Sequence, residues 1–593
     1  MNRARIVILL LIAGTLVSVT RPAATRDEQS VFDEIRREHE WIEKHLHEPL
    51  PAASPTRPLV RAQALTTAPQ TIDVQHYRLQ IRFSTDPLAI SGTVTIEAQT
   101  TAPTTAVNLD AFDNLTIDAV RVDGGAHELR HKNNLLAVRF DDALPAARRL
   151  TIAVDYHAGL VVNNGVGDGM LVAKHGADEL FVMANLSEPY GAPSWWPCID
   201  DVRDKATSEV EITAPPGFVG ASNGVLVKTA ANADQTTTYF WREDYPITTY
   251  LISAAVTNYA EFEDTYTALD GRRMPLVFYV YPEHLERATQ KFAVTRQAMQ
   301  IFAALYGEYP FINEKYGMAE FPWSGGMEHQ TLTSLGANIV GAVVSPGISS
   351  AQTIIAHELA HQWWGDLVTL RTWSDIWLNE GFATYSEVLF LEHYAQLDPG
   401  AVMSLSYDDG EVFGRLGGTV TAEDLGNPFD DTGAVYRKGA WALHMLRHLM
   451  GDERFFAALR DYRQRFAFSN ASTADFQQVC EEHYGEKLDW FFPQWLYAPG
   501  RPIYKASSEI SPGETAGHIV TLVIKQKQTQ AIPGRADGVY VMPLDVTIHY
   551  ADGTSETRVV RNDRRKQVFN FIVTKQPVSV GVDEGRWVLK KMK

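Results

Sequence analysis

Cysteine is nearly absent from this sequence. Only Cys198 and Cys480 occur among its 593 residues, whereas folds that depend on disulfide bonds are rich in cysteine. The two residues fall in different predicted domains, so we expect two small buried side chains. A bridge between them is the alternative.

Positive charge is also in short supply. The chain has 53 Lys and Arg against 72 Asp and Glu, which gives a formal net charge of -19. A nucleic-acid-binding surface needs clustered Lys and Arg to contact phosphates. We therefore expect no nucleic-acid partner, and we expect most of the excess acid on solvated faces.

Long apolar runs are missing, with one exception at the amino end. The run 6–19 follows Arg3 and Arg5, and it is short for a helix that crosses a bilayer. This pattern is typical of a secretory signal peptide. It predicts export to a periplasmic or extracellular space, with a membrane tether through residues 6–19 as the alternative.

The rest of the composition is that of a globular protein, with 45% hydrophobic and 21% charged residues. A chain of this length should form several domains. We predict a multidomain α+β fold with the following parts: a signal peptide or anchor over 1–24, a helical extension and linker over 25–65, an antiparallel β domain over 66–263, a mostly helical domain over 264–503, and a small β-sandwich over 504–593.

Hydrophobic periodicity underlies this division. Tyr77, Leu79, Ile81 and Phe83 alternate with polar residues, which indicates a strand with one buried face. Between Leu285 and Phe302 the apolar residues are instead spaced by three and four, which is typical of an amphipathic helix. Near the carboxyl end, alternation returns on both sides of the turn at Asp552-Gly553. It predicts a β-hairpin there.

The motif with the most chemistry is His357-Glu358-Leu359-Ala360-His361. Residues four apart on a helix share one face, so both imidazoles can reach one metal. Glu358 is placed beside the first ligand, within reach of a water at that metal. Two structural histidines on a buried amphipathic helix would explain the pair alone equally well.

A third ligand is available in Glu380, which lies on a second predicted helix that begins near Trp377. Catalytic zinc commonly takes three protein ligands and leaves a position for water. Glu380 by itself would be a surface acid. Together with His357 and His361 it completes a His-His-Glu set for one Zn²⁺ per chain.

At this point the sequence resembles a known family. The motif H-E-x-x-H, followed after eighteen residues by Asn379-Glu380-Gly381-Phe382-Ala383, is similar to the zinc aminopeptidases that include aminopeptidase N and leukotriene-A hydrolase. The resemblance covers about residues 66–503. It implies a thermolysin-like zinc-peptidase domain over 264–503, and hydrolysis of the amino-terminal residue of peptides.

The resemblance also implies how the free amino end of a peptide is recognised. Gly325-Gly326-Met327-Glu328-His329 looks like the family's G-x-M-E-N motif, with His329 where Asn is usual. By this resemblance Glu328 binds the substrate's α-amine. Gly325 and Gly326 would let an extended peptide backbone approach closely.

A second acid and a phenol follow from the same resemblance. Glu188, in Ser187-Glu188-Pro189, falls on the acid that helps to hold the α-amine, although Leu186 and Pro193 depart from the family's Gln and Arg. Tyr436 falls on the tyrosine that donates its hydroxyl to the developing oxyanion, which is a common electrostatic device.

Three other functions stay open at the sequence level. The chain could be an inactive peptide-binding relative, an endopeptidase that shares only H-E-x-x-H, or a hydrolase of lipid epoxides. The intact ligand set, Glu358, Glu328 and Glu188 favour an aminopeptidase that acts on peptides with a free amino end. The sequence gives no indication of the oligomeric state.

Overall fold

The computed structural model describes residues 70–165, 169–344, 349–406, 420, 429, 433–513 and 517–593. The predicted signal peptide (1–24) and helical extension (25–65) lie outside these residues. In the described part of the chain, every helix is too short or too polar to cross a bilayer.

The amino-terminal part is built from β-sheets, as the alternation predicts. Its strands are β1 Ile72–Thr85, β2 Leu88–Thr100, β3 Thr104–Asp110, β4 Thr116–Val122, β5 Gly125–Ala126, β6 Leu129–Lys132, β7 Leu135–Leu144, β8 Arg149–Gly159, β9 Gly169–His175, β10 Leu180–Leu186, β11 Ala206–Ala214, β12 Val219–Ser222, β13 Val225–Ala231, β14 Thr237–Ile247 and β15 Ala254–Thr257.

These strands form three sheets in the described residues. The largest has the order β13-β14-β11-β1-β2-β8-β4-β5, the second β12-β15-β10-β9 and the third β3-β7-β6. The long pair β1 and β2 runs antiparallel, with Leu79 opposite Val94. Both residues are fully buried, so the predicted inward face is confirmed.

A further sheet lies where the sequence indicated mainly helices. Its strands are β16 Ala260–Thr267, β17 Arg273–Val280, β18 Tyr316–Phe321, β19 Gly326–Met327 and β20 Leu332–Gly336. They are ordered β16-β17-β18-β20-β19, so β19 is an edge strand. Strand β16 crosses the predicted division at 263/264, and the domain boundaries stay predictions.

Helices make up most of the rest of this part of the chain. They are α1 Leu285–Phe292, α2 Thr295–Tyr306, α3 Ala337–Gly341, α4 Ser350–Ala360, α5 Trp377–Ala395, α6 Pro399–Ser406, α7 Gly439–Met450, α8 Asp452–Arg465, α9 Thr473–Tyr484 and α10 Phe492–Leu496. A π-helix at Gly433–Lys438 leads directly into α7. The short parallel strands β21 Val368–Leu370 and β22 Ser469–Ala471 pair between the helices.

The carboxyl-terminal part is a two-sheet sandwich. Its strands are β23 Ile503–Pro512, β24 His518–Gln526, β25 Met542–Tyr550, β26 Ser555–Asn562, β27 Lys566–Val573, β28 Pro577–Val582 and β29 Lys591–Met592. One sheet has the order β27-β24-β23-β29 and the other β26-β25-β28. The predicted hairpin is β25–β26, with Val546 opposite Arg558.

The sandwich is fastened to α7 by an aromatic stack. The Trp587 ring stacks on both His444 and His448, with centroid separations of 4.7 and 4.6 Å. The two histidines are four residues apart and therefore share one face of the helix. His448 Nε2 also lies 3.2 Å from Asp545 Oδ1 on β25.

Both cysteines are buried and free. The expectation of two small buried side chains is therefore confirmed, and the alternative of a bridge between Cys198 and Cys480 is wrong.

Candidate metal and catalytic site

Helix α4 carries the first two candidate ligands. A capping box fixes its start: the Ser349 backbone N–H donates to Gln352 Oε1 at 3.0 Å, which satisfies a helix-end group that would otherwise be unpaired. His357 lies within the helix, and His361 follows its last residue with helical backbone angles. Both histidines are buried and lie one turn apart.

Glu380, in the first turn of α5, completes the cluster. Its Oε2 lies 3.2 Å from His357 Nε2 and 3.3 Å from His361 Nε2. One candidate ligand atom from each of the three residues falls within 4.8 Å of the others. The structure thus brings together the three side chains that the sequence paired across two helices.

The other ring nitrogens of the histidines are held in place. His357 Nδ1 donates to Glu387 Oε1 at 2.8 Å, and His361 Nδ1 donates to the Trp364 carbonyl at 3.0 Å. These contacts direct both Nε2 atoms at Glu380, which is how outer carboxylates and carbonyls orient metal-binding imidazoles. Sequence reasoning missed Glu387, although its position two turns after Glu380 places it on the same helix face.

The charges around the cluster favour a bound cation. Burial lowers the pKa of His361, but the Glu328 and Glu380 carboxylates outweigh this effect and raise it to about 9. Burial alone would raise the pKa of Glu380, but the two imidazoles outweigh this effect and lower it to about 2. The carboxylates therefore favour positive charge at this cluster, and a bound cation would compete with protons for the imidazoles. Two imidazoles and one carboxylate are a donor set that fits Zn²⁺.

Glu358 lies beside this cluster and is shielded from solvent. It is buried, and its Oε2 has no hydrogen-bond partner within the described part of the chain. Burial raises the pKa of Glu358 to about 8, against the opposing charges of His357 and His361. A carboxylate with an elevated pKa and a free oxygen is suited to accept and return a proton.

The two glycines before Met327 have a local reason to lack side chains. A Cβ on Gly326 would lie 2.2 Å from Glu358 Oε1, and a Cβ on Gly325 would lie 2.8 Å from the Trp323 ring. The space beside Gly326 is thus filled by the Glu358 side chain. A role of either glycine in contacting a peptide backbone stays a prediction.

Glu328 and Glu188 face the metal cluster from two other segments. Glu188, Glu328 and Glu380 each place a carboxylate oxygen within 4.8 Å of the others. Oε1 of Glu328 and Oε1 of Glu188 are buried and unpartnered among the described residues. Burial raises the pKa of both carboxyls, and mutual repulsion raises that of Glu188 further. A cationic group between them would relieve both effects.

His329, which departs from the family motif, ties these two acid-bearing segments together. Its Nδ1 lies 2.9 Å from Ser334 Oγ, and its Nε2 lies 3.2 Å from Asn185 Nδ2. Burial lowers the pKa of His329 to about 3, so the ring is neutral and its Nε2 accepts from the Asn185 amide. Asn185 is on β10, three residues before Glu188.

Tyr436 stands over the first ligand. Its ring stacks on that of His357, with centroids 6.0 Å apart and planes inclined by 14°. Burial, together with the charges of Glu380, Glu188 and Glu328, raises the pKa of the phenol well above its usual range. The hydroxyl is therefore protonated and able to donate a hydrogen bond.

The chain matches two family profiles. The profile described as "Peptidase family M1 domain" matches residues 291–495, and the one described as "Peptidase M1 N-terminal domain" matches residues 73–251. The first range contains the zinc-ligand candidates and the second contains Glu188. Together the two matches cover most of the chain.

Individual relatives are similar at moderate identity. The chain is 26% identical to aminopeptidase M1-A of Oryza sativa subsp. japonica, over 84% of this chain and 57% of the relative. It is 27% identical to glutamyl aminopeptidase of Sus scrofa, over 73% of this chain and 48% of the relative. The chain thus spans about half the length of these curated relatives.

A solved structure supports the fold. The crystal structure of Legionella pneumophila aminopeptidase A in complex with aspartic acid superposes with a TM-score of 0.74 at 19% identity, covering 89% of this chain and 60% of the other. At this level of identity the likeness concerns the fold. The predicted multidomain α+β architecture is confirmed.

Proposed function

The chain belongs to peptidase family M1, and from that premise we propose that it is a zinc-dependent aminopeptidase that removes the first residue from peptides with a free amino end. The observation that carries the proposal is the convergence of His357 Nε2 and His361 Nε2 on Glu380 Oε2, at 3.2 and 3.3 Å. Glu188 and Glu328 lie next to these three residues, and each has a buried oxygen without a hydrogen-bond partner among the described residues.

His357, His361 and Glu380 would hold the metal. Zinc in such a site acts as a Lewis acid that polarises a carbonyl group and lowers the pKa of a water molecule. Glu387 and the Trp364 carbonyl keep the two imidazoles aimed at the ion. The donor set and its outer contacts fit one Zn²⁺ per chain.

Glu328 and Glu188 would select the amino end. An ammonium group between their carboxylates gains charge-assisted hydrogen bonds in a desolvated pocket. An acetylated amine would leave the buried Oε1 atoms of both acids unpaired, and an unpaired buried polar group is costly. This preference would restrict cleavage to the first peptide bond, because an internal residue offers no ammonium group.

Glu358 and Tyr436 would act on the bond itself. Glu358 accepts a proton from the attacking water and passes it to the leaving amine. Tyr436 donates its phenolic hydrogen to the scissile carbonyl oxygen as negative charge develops there. Its stacking on His357 places the phenol on the side of the first ligand.

We also propose that the protein is exported. Arg3, Arg5 and the apolar run 6–19 support a signal peptide, or an amino-terminal tether if the segment is retained. Localisation of the full-length chain after cell fractionation, with the mass of its amino-terminal peptide, distinguishes the two. A cytoplasmic chain with an intact amino end would overturn the proposal.

One pair of substrates tests the activity. Purified protein of known zinc content is given an amino-acid anilide and its N-acetylated twin, and release of the chromophore is followed. We expect cleavage of the free-amine compound only, lost on chelation and restored by Zn²⁺. Equal rates on both compounds would point to an endopeptidase. Stoichiometric zinc without turnover on a panel of amino-acid anilides would point to an inactive binding protein or to epoxide hydrolysis.

A further inference from the structure

Thr331 has a backbone conformation that its side chain disfavours. Its φ is 61°, in the left-handed region that β-branched residues rarely enter. The Leu332 N–H donates to the His329 carbonyl at 3.0 Å, so Thr331 is the third residue of a tight turn. Glycine is the usual residue at a turn position with positive φ. Contacts around Thr331 must therefore stabilise the turn enough to offset this cost.

Both backbone polar groups of Thr331 are bonded to the metal-binding part of the fold. The Thr331 N–H donates to Gln362 Oε1 at 2.9 Å, and Lys315 Nζ donates to the Thr331 carbonyl at 3.1 Å. Gln362 directly follows the candidate ligand His361. Its Nε2 donates in turn to the Glu328 carbonyl at 3.3 Å. One buried amide side chain thus joins the turn, the metal ligand and the amine-binding acid.

The hydroxyl of Thr331 is bonded to the amino-terminal β part instead. Thr331 Oγ1 accepts from the Gly224 N–H at 2.7 Å and donates to Glu243 Oε2 at 3.1 Å. Thr331 and Glu243 are buried. The neighbouring Gln330 carbonyl accepts from Asn223 Nδ2 at 2.5 Å. The turn that follows Glu328 is therefore held from both sides of the junction between the two parts.

We propose that Thr331 is a positioning residue for Glu328, and that Glu243 and Gly224 of the amino-terminal β part fix the amine-binding acid through the Thr331 hydroxyl. This inference rests on the proposed function, because it takes Glu328 as the group that binds the substrate's amine. The hydroxyl contacts hold the turn in its unfavourable φ, and the turn sets where the Glu328 segment lies relative to His361. Without the hydroxyl, the turn relaxes and Glu328 moves from its place.

The test uses two inhibitors that differ only at the amine. Leucine hydroxamate and N-acetyl-leucine hydroxamate carry the same metal-binding group, but only the first has an ammonium group. Inhibition constants for both are measured on the full-length zinc-loaded protein. The ratio of the two constants reports the amine contact separately from the metal contact.

Thr331→Val removes the hydroxyl and keeps the shape of the side chain. Valine is also β-branched, so the positive φ is as unfavourable for it as for threonine. We expect its inhibition constant for leucine hydroxamate to rise about tenfold, which corresponds to about 1.4 kcal/mol, with that for the acetylated compound unchanged. Thr333→Val is the matched control. Thr333 is equally buried and its hydroxyl bonds Tyr316, so we expect similar destabilisation with an unchanged ratio.

A second pair serves if Thr331→Val does not fold. Thr331→Ser keeps a hydroxyl and should retain the preference for the free amine, whereas Thr331→Ala should lose it. Glu243→Gln keeps an acceptor for the hydroxyl and should retain the preference as well. Retention of the preference in Thr331→Ala would overturn the inference.

The outcomes separate the inference from its premise. If the wild-type protein binds both hydroxamates equally, the amine-binding role of Glu328 fails, and with it the proposed function. If the wild-type protein prefers the free amine and Thr331→Val keeps that preference with only a lower melting temperature, Thr331 is merely structural. The present inference alone is then wrong.

Discussion

The side chain of Glu358 occupies the space that a Cβ at Gly326 would need. Such a Cβ would lie 2.3 Å from the Glu358 carboxyl carbon and 2.6 Å from Cγ, far closer than non-bonded atoms approach. Strand β19 and helix α4 therefore meet at a point where one residue has no side chain and the other carries the proposed catalytic acid. The position of the acid depends on that glycine.

Gly326→Ala should displace the Glu358 carboxylate while leaving the metal ligands in place. Because general acid–base catalysis contributes about 10²–10⁴-fold to rates, we expect kcat on an amino-acid anilide to fall at least about a hundredfold. Bound zinc, measured by atomic absorption, should stay at one per chain. Gly159→Ala is the control, since a Cβ there meets no atom within 4 Å.

A double-mutant cycle decides whether Gly326 acts through Glu358. Glu358→Gln should retain zinc and lose turnover, and adding Gly326→Ala to it should cost little more, because the two changes remove the same function. A double variant that is slower by the product of the two single effects would show that Gly326 acts independently of Glu358.

Glu387→Gln should weaken zinc binding without touching a ligand. Its Oε1 holds His357 Nδ1 at 2.8 Å, and loss of such an outer contact typically costs about 10–100-fold in metal affinity. Competition with a chromogenic chelator measures the change. Glu392→Gln on the same helix is the control: Glu392 pairs with Arg447, so stability should fall while zinc affinity stays. Equal zinc affinity in both variants would contradict the prediction.

Tyr436→Phe should lower kcat and leave the zinc content intact. The change removes one hydrogen-bond donor to the developing oxyanion, a loss that typically costs about 10²–10³ in kcat. Tyr156→Phe is a suitable control, because the buried Tyr156 hydroxyl has no partner among the described residues and lies on β8, in the amino-terminal β part. Normal turnover by Tyr436→Phe would remove the phenol from the mechanism.

Asp200→Asn should stabilise the protein more as pH rises. Burial and the neighbouring Asp110 raise the pKa of Asp200 to about 8, whereas the pKa of Asp in an unfolded chain is about 3.9. The folded chain thus keeps this proton longer than the unfolded chain, and wild-type stability falls between about pH 4 and pH 8. The variant does not lose this stability, so its melting temperature relative to that of the wild type should increase from about pH 4 to about pH 8.

The adjacent Asp201 gives a control of opposite sign. Burial acts to raise its pKa, but hydrogen bonds from Arg203 outweigh this and lower it. Asp201 therefore contributes stability above its unfolded pKa, and this contribution is lost as pH falls. Asp201→Asn should lower the melting temperature at neutral pH. If the melting temperatures of both variants and the wild type change with pH in parallel, the pKa shifts assigned to Asp200 and Asp201 are both wrong.

Local sequence patterns were sufficient to predict that His357, His361 and Glu380 lie together. The spacing of His357 and His361 follows from helix geometry, and Glu380 lies on the next long helix, so two regular elements bring the three residues together. Alternation likewise predicted β1 and the β25–β26 hairpin, where one face is buried. Such patterns are readable because each element repeats its own period.

The sheet around the Glu328 segment had no comparable signal. Strands β18 and β20 are buried on both faces, so they lack the alternation that marks a strand with one exposed face. Strand β19 has two residues. Contacts such as Thr331 to Glu243 join residues far apart in the chain, and no local pattern in one sequence records them.

The Trp587 ring, which stacks on His444 and His448, joins the carboxyl-terminal sandwich to the helix that follows Tyr436. Helix α7 starts at Gly439, three residues after Tyr436, and at about 1.5 Å per residue His444 and His448 lie about 8 and 14 Å along the helix from Gly439. A displacement of Trp587 would therefore act directly on α7, the helix that continues from the segment carrying Tyr436.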